Sequence, residues 1–150
     1  MKRIISKSLD DTARIASDWL GSLEKKDSEA LVVCLSGDLG SGKTAFTKAV
    51  AAALGINEMV TSPTYVIEKI YQIAKFGDRI SRWGRLIHID AYRLESAREL
   101  EALDFEELVE DPNNLILIEW SENVKEILPE GALTIKCEFV SEMEREYMFE

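Results

Sequence analysis

The sequence contains no hydrophobic run long enough to cross a membrane and no segment typical of a secretory signal. It begins MKRIISKSLDD, so acidic side chains appear before any long apolar stretch can form. Internal repeats and low-complexity linkers are absent as well. A chain of 150 residues is long enough to bury one hydrophobic core. We therefore expect a cytoplasmic protein that forms a single domain over residues 1–150 and has no membrane partner.

Cysteine is also scarce, with two residues in the whole chain. Cys34 and Cys137 do not have the spacing of metal ligands, and both fall within apolar strand patterns. Isolated cysteines in such patterns are typical of reduced residues in a hydrophobic core. The sequence therefore indicates no cysteine-based metal site.

Basic residues are in deficit: 18 lysines and arginines stand against 28 aspartates and glutamates, for a formal net charge of -10. A broad nucleic-acid-binding surface needs clustered lysine and arginine, so this balance argues against one. It does not exclude a nucleotide site, because backbone N–H groups, one lysine and a metal ion can hold phosphate.

What the sequence does contain is a phosphate-binding motif. Residues 37–44, GDLGSGKT, match G-x-x-x-x-G-K-[ST] in full, between an apolar strand pattern and an amphipathic helix pattern. In this setting Lys43 can reach the β- and γ-phosphates of a nucleoside triphosphate, and the Thr44 hydroxyl can ligate Mg²⁺. No guanine-reading Asn-Lys-x-Asp motif is present, which favours ATP over GTP. The alternative is a glycine-rich turn without a ligand.

Hydrophobic periodicity predicts strand–loop–helix units and hence an α/β fold with a largely parallel sheet and some antiparallel additions. The N-terminal helix over 9–23 is expected to be capped by Asp10 or Asp11. Its core-facing residues are predicted to be Leu9, Ala13, Ala16, Trp19, Leu20 and Leu23. The predicted strands are 30–36, 64–73, 85–90, 115–120 and 132–140, with 64–73 and 85–90 as a hairpin, and the further helices are 43–54, 95–110 and 121–128.

Polar residues stand at or near the ends of these strands. Glu119 ends an apolar run and is expected to hold Mg²⁺, although a strand-end acid facing solvent is the alternative. Asp90 could bind magnesium water, orient the attacking water or cap the next segment. Residues 61–64, TSPT, could sense the γ-phosphate or form a turn. The pattern favours a structural role over a catalytic one for His88, and a core position over a contact surface for Trp120.

Four separated segments carry a family resemblance: GDLGSGKT, SPTYVIEKIY, HIDAYRL and LIEWSE. Their order and approximate spacing resemble those of the TsaE (YjeE) family, the P-loop ATPases needed to make N6-threonylcarbamoyladenosine on tRNA. The resemblance covers nearly the whole chain and implies a P-loop NTPase-like three-layer fold. It also implies a magnesium-dependent ATPase, weak alone, that supports turnover of the threonylcarbamoyl transferase complex acting on adenosine 37.

The resemblance assigns expected roles to individual residues. Lys43, Asp90 and Glu119 would be catalytic, and Thr44 and Glu119 would hold the metal. The tail EREYMFE stops short of the family's usual Gly/Arg ending, which leaves the adenine contact of that ending open. The expected ATP-binding residues are Thr12 near the adenine, Asp38, Leu39, Gly40, Ser41, Gly42, Lys43 and Thr44 in the loop, Thr64 in a switch-like segment, and Trp120.

The resemblance further implies two protein partners, a TsaD-like threonylcarbamoyl transferase subunit and its TsaB-like companion, with tRNA reached through the complex. Two other functions stay open: a small-molecule kinase and a nucleotide-dependent binding module without hydrolysis. Residues 95–111 are strongly acidic and would be either a docking surface or a solvated helix face. Residues 75–85 are basic and would be either a loop near tRNA or a hairpin tip.

Overall fold

The computed structural model describes residues 1–74 and 82–150. Most of the basic segment 75–85 therefore lies outside the described residues. The strands are β1 (Lys2–Ser6), β2 (Leu31–Ser36), β3 (Glu68–Gln72), β4 (Arg85–Asp90), β5 (Asn114–Glu119), β6 (Leu133–Phe139) and β7 (Arg145–Phe149). The helices are α1 (Leu9–Ser22), α2 (Lys43–Ala53), α3 (Ala97–Glu101) and α4 (Phe105–Glu110), with a 3-10 helix at Ser121–Ile127.

The described strands form one sheet in the order β1-β7-β6-β2-β5-β4-β3. Its centre is parallel, because β2 pairs in parallel with β5 and β6, and β4 pairs in parallel with β5. Antiparallel strands extend both sides: β3 pairs with β4, β7 with β6, and β1 with β7. The predicted α/β fold with a largely parallel sheet and antiparallel additions is confirmed, as is the β3–β4 pairing.

Helices cover both faces of the sheet, and the alternation of side chains along β2 shows how. Val33 and Leu35 point into a core shared with α1 and α2, whereas Val32 and Cys34 point into a second core shared with α3, α4 and the 3-10 helix. A strand buried on both faces reads as a continuous apolar run, which is what the sequence shows. The result is the predicted three-layer arrangement.

Helix α1 begins at the predicted residue and ends one residue earlier than predicted, with a different cap and a partly different inner face. Ser8 is the N-cap, since its side chain accepts a hydrogen bond from the Asp11 N–H at 3.0 Å. Leu9 and Ala13 are exposed, while Thr12 and Ile15 are buried. The predicted core residues Ala16, Trp19, Leu20 and Leu23 are confirmed. Thr12 was missed because the prediction counted apolar residues alone, whereas its hydroxyl, 2.7 Å from Ser6 Oγ, lets it be buried.

Other elements also differ from expectation. The single helix predicted over 95–110 is two short helices, separated at Asp104, whose φ of 59° is left-handed. Strand β3 begins later than predicted, because the chain first makes a turn in which the Ile67 N–H bonds to the Pro63 carbonyl. Strands β1 and β7 were not predicted at all. In the described parts of the chain no helix is long and apolar enough to cross a membrane.

Candidate nucleotide-binding site

The glycine-rich loop joins the end of β2 to the start of α2. Its backbone depends on glycine at two places in particular. Gly37 has a φ of 135°, and a Cβ there would lie 2.1 Å from the carbonyl oxygen of Cys137 in β6. Gly42 has a φ of 103° at the N-cap of α2. The loop therefore lies against the sheet and leads into a helix N-terminus, whose free N–H groups favour an anion.

Lys43 is buried at the start of α2 and its ammonium group lies within the loop. Its Nζ donates to the carbonyl oxygens of Gly37, at 2.5 Å, and Asp38, at 2.9 Å. The same nitrogen lies 4.2 Å from the centre of the Trp120 ring, in a cation–π contact. The positive charge is thus held by the loop carbonyls and by an aromatic face.

Thr44 and Glu119 meet at the junction of α2 and β5. The Thr44 hydroxyl lies 3.1 Å from Glu119 Oε1 and 3.0 Å from Oε2. Glu119 is buried and also receives a bond from His88, whose Nε2 lies 2.8 Å from Oε1. Glu119 ends β5, the parallel neighbour of β2, so the sheet itself brings this carboxylate beside the loop that follows β2.

Asp90 ends β4 and pairs in register with Glu119 across the sheet. Its Oδ2 accepts hydrogen bonds from Ser62, at 2.8 Å, and Thr64, at 2.6 Å. Its Oδ1 accepts one from the Tyr92 N–H at 2.9 Å, so the local capping contact that the sequence allowed is also present. The buried carboxylate thereby ties the 61–64 segment to the edge of the sheet.

Trp120 follows Glu119 in a left-handed conformation, with a φ of 58°. Its N–H donates to the Leu35 carbonyl, and its ring contacts that of Tyr92 at 4.9 Å between centres. The side chain is half-buried and packs against the second core. The core position and the contact surface that the sequence left as alternatives are therefore combined in one residue.

These elements enclose a cavity of about 660 Å³. Of the predicted ATP-binding residues, Asp38 and Ser41 are not among those that line it. Asp38 offers its backbone carbonyl to Lys43, and the buried Ser41 hydroxyl lies 3.3 Å from Lys43 Nζ. The predicted residues that do line the cavity are Thr12, Leu39, Gly40, Gly42, Lys43, Thr44, Thr64, Asp90, Glu119 and Trp120.

One wall of the cavity was missed by the sequence analysis, because it comes from β7 and the turn before it. Arg145 Nε donates to the Gly40 carbonyl at 2.8 Å, and the Tyr147 hydroxyl donates to the Gly42 carbonyl at 3.4 Å. Burial raises the pKa of Tyr147 and keeps its hydroxyl protonated. Ser62 belongs to the predicted 61–64 segment, and the lining residues that were not predicted are Ser6, Ser8, Leu9, Ala45, Tyr92, Glu142, Met143, Arg145 and Tyr147.

The side chains present fit a magnesium ion bound together with a nucleotide. Thr44 and Glu119 supply hard oxygen atoms about 3 Å apart, which is the ligand type that Mg²⁺ prefers. In the described residues no three His, Cys, Asp or Glu side chains cluster as metal ligands. An ion at this place would therefore complete its coordination with phosphate oxygens and water, as is usual for Mg²⁺ in phosphate-transfer sites.

A strand, a glycine-rich loop and a helix that begins with Lys43 and Thr44, set in a parallel sheet, define a P-loop protein. The profile of the family described as "Threonylcarbamoyl adenosine biosynthesis protein TsaE" matches residues 6–147. The chain belongs to the TsaE family, which is a family of ATP-binding P-loop proteins.

Individual relatives agree with this assignment. The chain is 36% identical over 146 residues to the tRNA threonylcarbamoyladenosine biosynthesis protein TsaE of Treponema pallidum, covering 96% of each chain. It is 38% identical over 118 residues to the protein of the same name from Bacillus subtilis, covering 79% of this chain and 68% of that one. The crystal structure of Bacillus subtilis YdiB superposes with a TM-score of 0.72 at 29% identity, over 99% of this chain and 83% of that one.

Proposed function

We propose that this chain is a magnesium-dependent ATPase required for threonylcarbamoyladenosine modification of tRNA. The ATPase part of this proposal rests on the Thr44–Glu119 pair, in which the Thr44 hydroxyl lies 3.1 Å or less from both carboxylate oxygens of Glu119. A hydroxyl after the P-loop lysine and a carboxylate on the neighbouring strand are the two protein groups that hold Mg²⁺ in P-loop NTPases. The part in tRNA modification is supported by the names of the relatives.

The loop and the start of α2 would bind the phosphates. Backbone N–H groups at the helix N-terminus provide donors, and Lys43 would exchange its bonds to the Gly37 and Asp38 carbonyls for bonds to phosphate oxygens. Thr44 and Glu119 would hold Mg²⁺, which supplies charge neutralisation at the β- and γ-phosphates. The cation–π contact with Trp120 keeps Lys43 directed along the loop.

Asp90 is the proposed residue for orienting the attacking water. It is buried, it neighbours Glu119 across the sheet, and its Oδ2 is held by the hydroxyls of Ser62 and Thr64. A carboxylate in this position can accept a hydrogen bond from a water molecule and direct it in line with the γ-phosphate. Because Thr64 bonds to the same oxygen, water binding and the conformation of the 61–64 segment are coupled.

The adenine would lie in the part of the cavity that Thr12 lines. The proposed partners are a TsaD-like transferase subunit and its TsaB-like companion, and the chain would meet tRNA through that complex. ATP hydrolysis supports turnover of the complex and does not itself transfer the carbamoyl group. We further propose that residues 1–150 act as one domain and that the protein works in the cytoplasm.

The test is an ATP hydrolysis assay on the purified chain, alone and with both partner proteins, in magnesium and in EDTA. Activity should need magnesium and should rise when both partners are added. Glu119→Gln should lower it by roughly 10- to 100-fold, whereas Glu122→Gln, an exposed acid on the 3-10 helix, should leave it unchanged. Stimulation by a metabolite instead of the partners would favour a kinase. Failure of the folded chain to bind MgATP, alone or with its partners, would refute the proposal.

A further inference from the structure

His88 is the one histidine of the chain, and its side chain is fully buried. It lies on β4 opposite Leu117 of β5, on the sheet face that carries Leu86 and Leu117 toward the first core. Its Nε2 is 2.8 Å from Glu119 Oε1. Because a carboxylate accepts hydrogen bonds, Nε2 carries the hydrogen in this pair.

Burying this imidazole is costly for stability. Within the described part of the chain, Nδ1 is buried and has no hydrogen-bond partner. An unpaired buried polar atom destabilises a fold, so an apolar residue at position 88 would be the more stable choice for a core position. The bond from Nε2 to Glu119 is the feature that an apolar residue could not reproduce.

The geometry of Glu119 indicates what this bond does. Thr44 has a single hydroxyl hydrogen, which it directs at the two Glu119 oxygens. A metal ion held by Thr44 and Glu119 would change this bond, because the Thr44 oxygen gives a lone pair to the ion and its hydrogen must then point away from it. His88 is a second, separate donor to Oε1, so its bond does not use the Thr44 hydrogen.

We propose that His88 is a positioning residue for magnesium: it fixes Glu119 Oε1 so that the carboxylate stays directed at Thr44 when a metal–nucleotide complex binds. This inference rests on the proposed function, because it assigns a role in that same site. Loss of a residue that hydrogen-bonds to a metal-binding carboxylate commonly lowers the metal affinity of the site by roughly 10- to 100-fold. His88 would therefore control the magnesium-dependent part of nucleotide binding and not the part supplied by the loop.

The test compares His88→Leu, His88→Gln and Leu86→Val by calorimetry with a non-hydrolysable ATP analogue, in magnesium and in EDTA. His88→Leu should weaken binding in magnesium by roughly 10- to 100-fold and leave binding in EDTA unchanged. His88→Gln keeps an N–H donor and should recover most of the loss. Leu86→Val perturbs the same face of β4 without touching Glu119, and should bind as wild type in both conditions.

An equal loss of affinity in magnesium and in EDTA, or the same loss in Leu86→Val, would mean that His88 has only a structural role and would overturn the inference. Unchanged binding by His88→Leu in magnesium would overturn it as well, while leaving the proposed function intact. Absence of magnesium-dependent binding in the wild-type protein would instead remove the proposed function itself.

A second measurement needs no substitution and decides the matter if His88→Leu does not fold. Because the chain has one histidine, ¹⁵N-histidine labelling gives a single imidazole to follow by NMR. Its Nε2–H resonance should persist and shift when the analogue is added with magnesium, and should barely shift when it is added in EDTA. Identical spectra in the two conditions would contradict a role for His88 in the metal site.

Discussion

Replacing Gly37 by alanine tests whether the phosphate loop packs directly against the sheet. A Cβ at this position would lie 2.1 Å from the Cys137 carbonyl oxygen and 2.7 Å from Ser41 Oγ. Cys137 lies in β6, which pairs with β2 on one side and β7 on the other. That oxygen therefore cannot move without disturbing neighbouring strands, and the collision has to be relieved by displacing the loop.

The size of the effect follows from two contributions. The φ of 135° at Gly37 is one that L-residues rarely adopt, and holding alanine there costs about 1–3 kcal/mol. Forcing a methyl group into the contact adds about 1–3 kcal/mol. The free energy of unfolding should fall by about 2–6 kcal/mol in total, which for a chain of this size lowers Tm by between about 4 and 24 °C.

Two other glycines serve as matched controls in the same urea and thermal unfolding experiments. Gly55 also has a positive φ, of 78°, but no heavy atom lies within 4 Å of its added Cβ. Gly55→Ala should therefore cost backbone strain alone, about 1–2 kcal/mol. Gly21 lies in α1 with open space around it, so Gly21→Ala should stabilise the protein by about 0.5–1 kcal/mol. If Gly37→Ala costs no more than Gly55→Ala, the close contact between loop and β6 does not exist.

Two further predictions concern buried acidic groups. Asp90→Ala should leave ATP affinity within about twofold and lower turnover roughly 100-fold, measured by calorimetry and single-turnover hydrolysis; unchanged turnover would leave Asp90 as a cap for Tyr92. Burial raises the pKa of the Cys137 thiol from 9.0 to about 12, so with rising pH the unfolded chain ionises it first. Between pH 9 and pH 12 this group should lower the free energy of unfolding by about 1.4 kcal/mol per pH unit. In urea unfolding experiments, the free energy of unfolding of Cys137→Ala should fall less steeply with pH than that of the wild type. Parallel falls in the two proteins would contradict the assignment.

The central strands and the loop could be predicted because their sequences carry local patterns. β2, β4 and β5 are short apolar runs, since helices cover both of their faces, and the loop has a fixed motif. β1 and β7 carry no such run. β1 forms the edge of the sheet and β7 lies next to it; both have mixed exposure, and charged residues such as Lys2 and Arg145 interrupt them. Strands of this kind are hard to distinguish from a polar tail.

The same reasoning explains which parts of the site were missed. Lys43, Thr44 and Glu119 follow from strand-end and loop patterns in sequence. Arg145 and Tyr147 reach the loop only because β7 pairs with β6, and sheet order is not encoded in any local pattern. The contact of His88 with Glu119 likewise depends on β4 and β5 being parallel neighbours in a particular register.

The pairing of β1 with β7 has a consequence for how the protein is made. Ser6 opposes Arg145 in that ladder, and both residues line the cavity. Because β1 is synthesised long before β7, β1 has no partner strand until synthesis has passed residue 149. One wall of the cavity therefore forms only after all the phosphate-loop residues are already in the nascent chain.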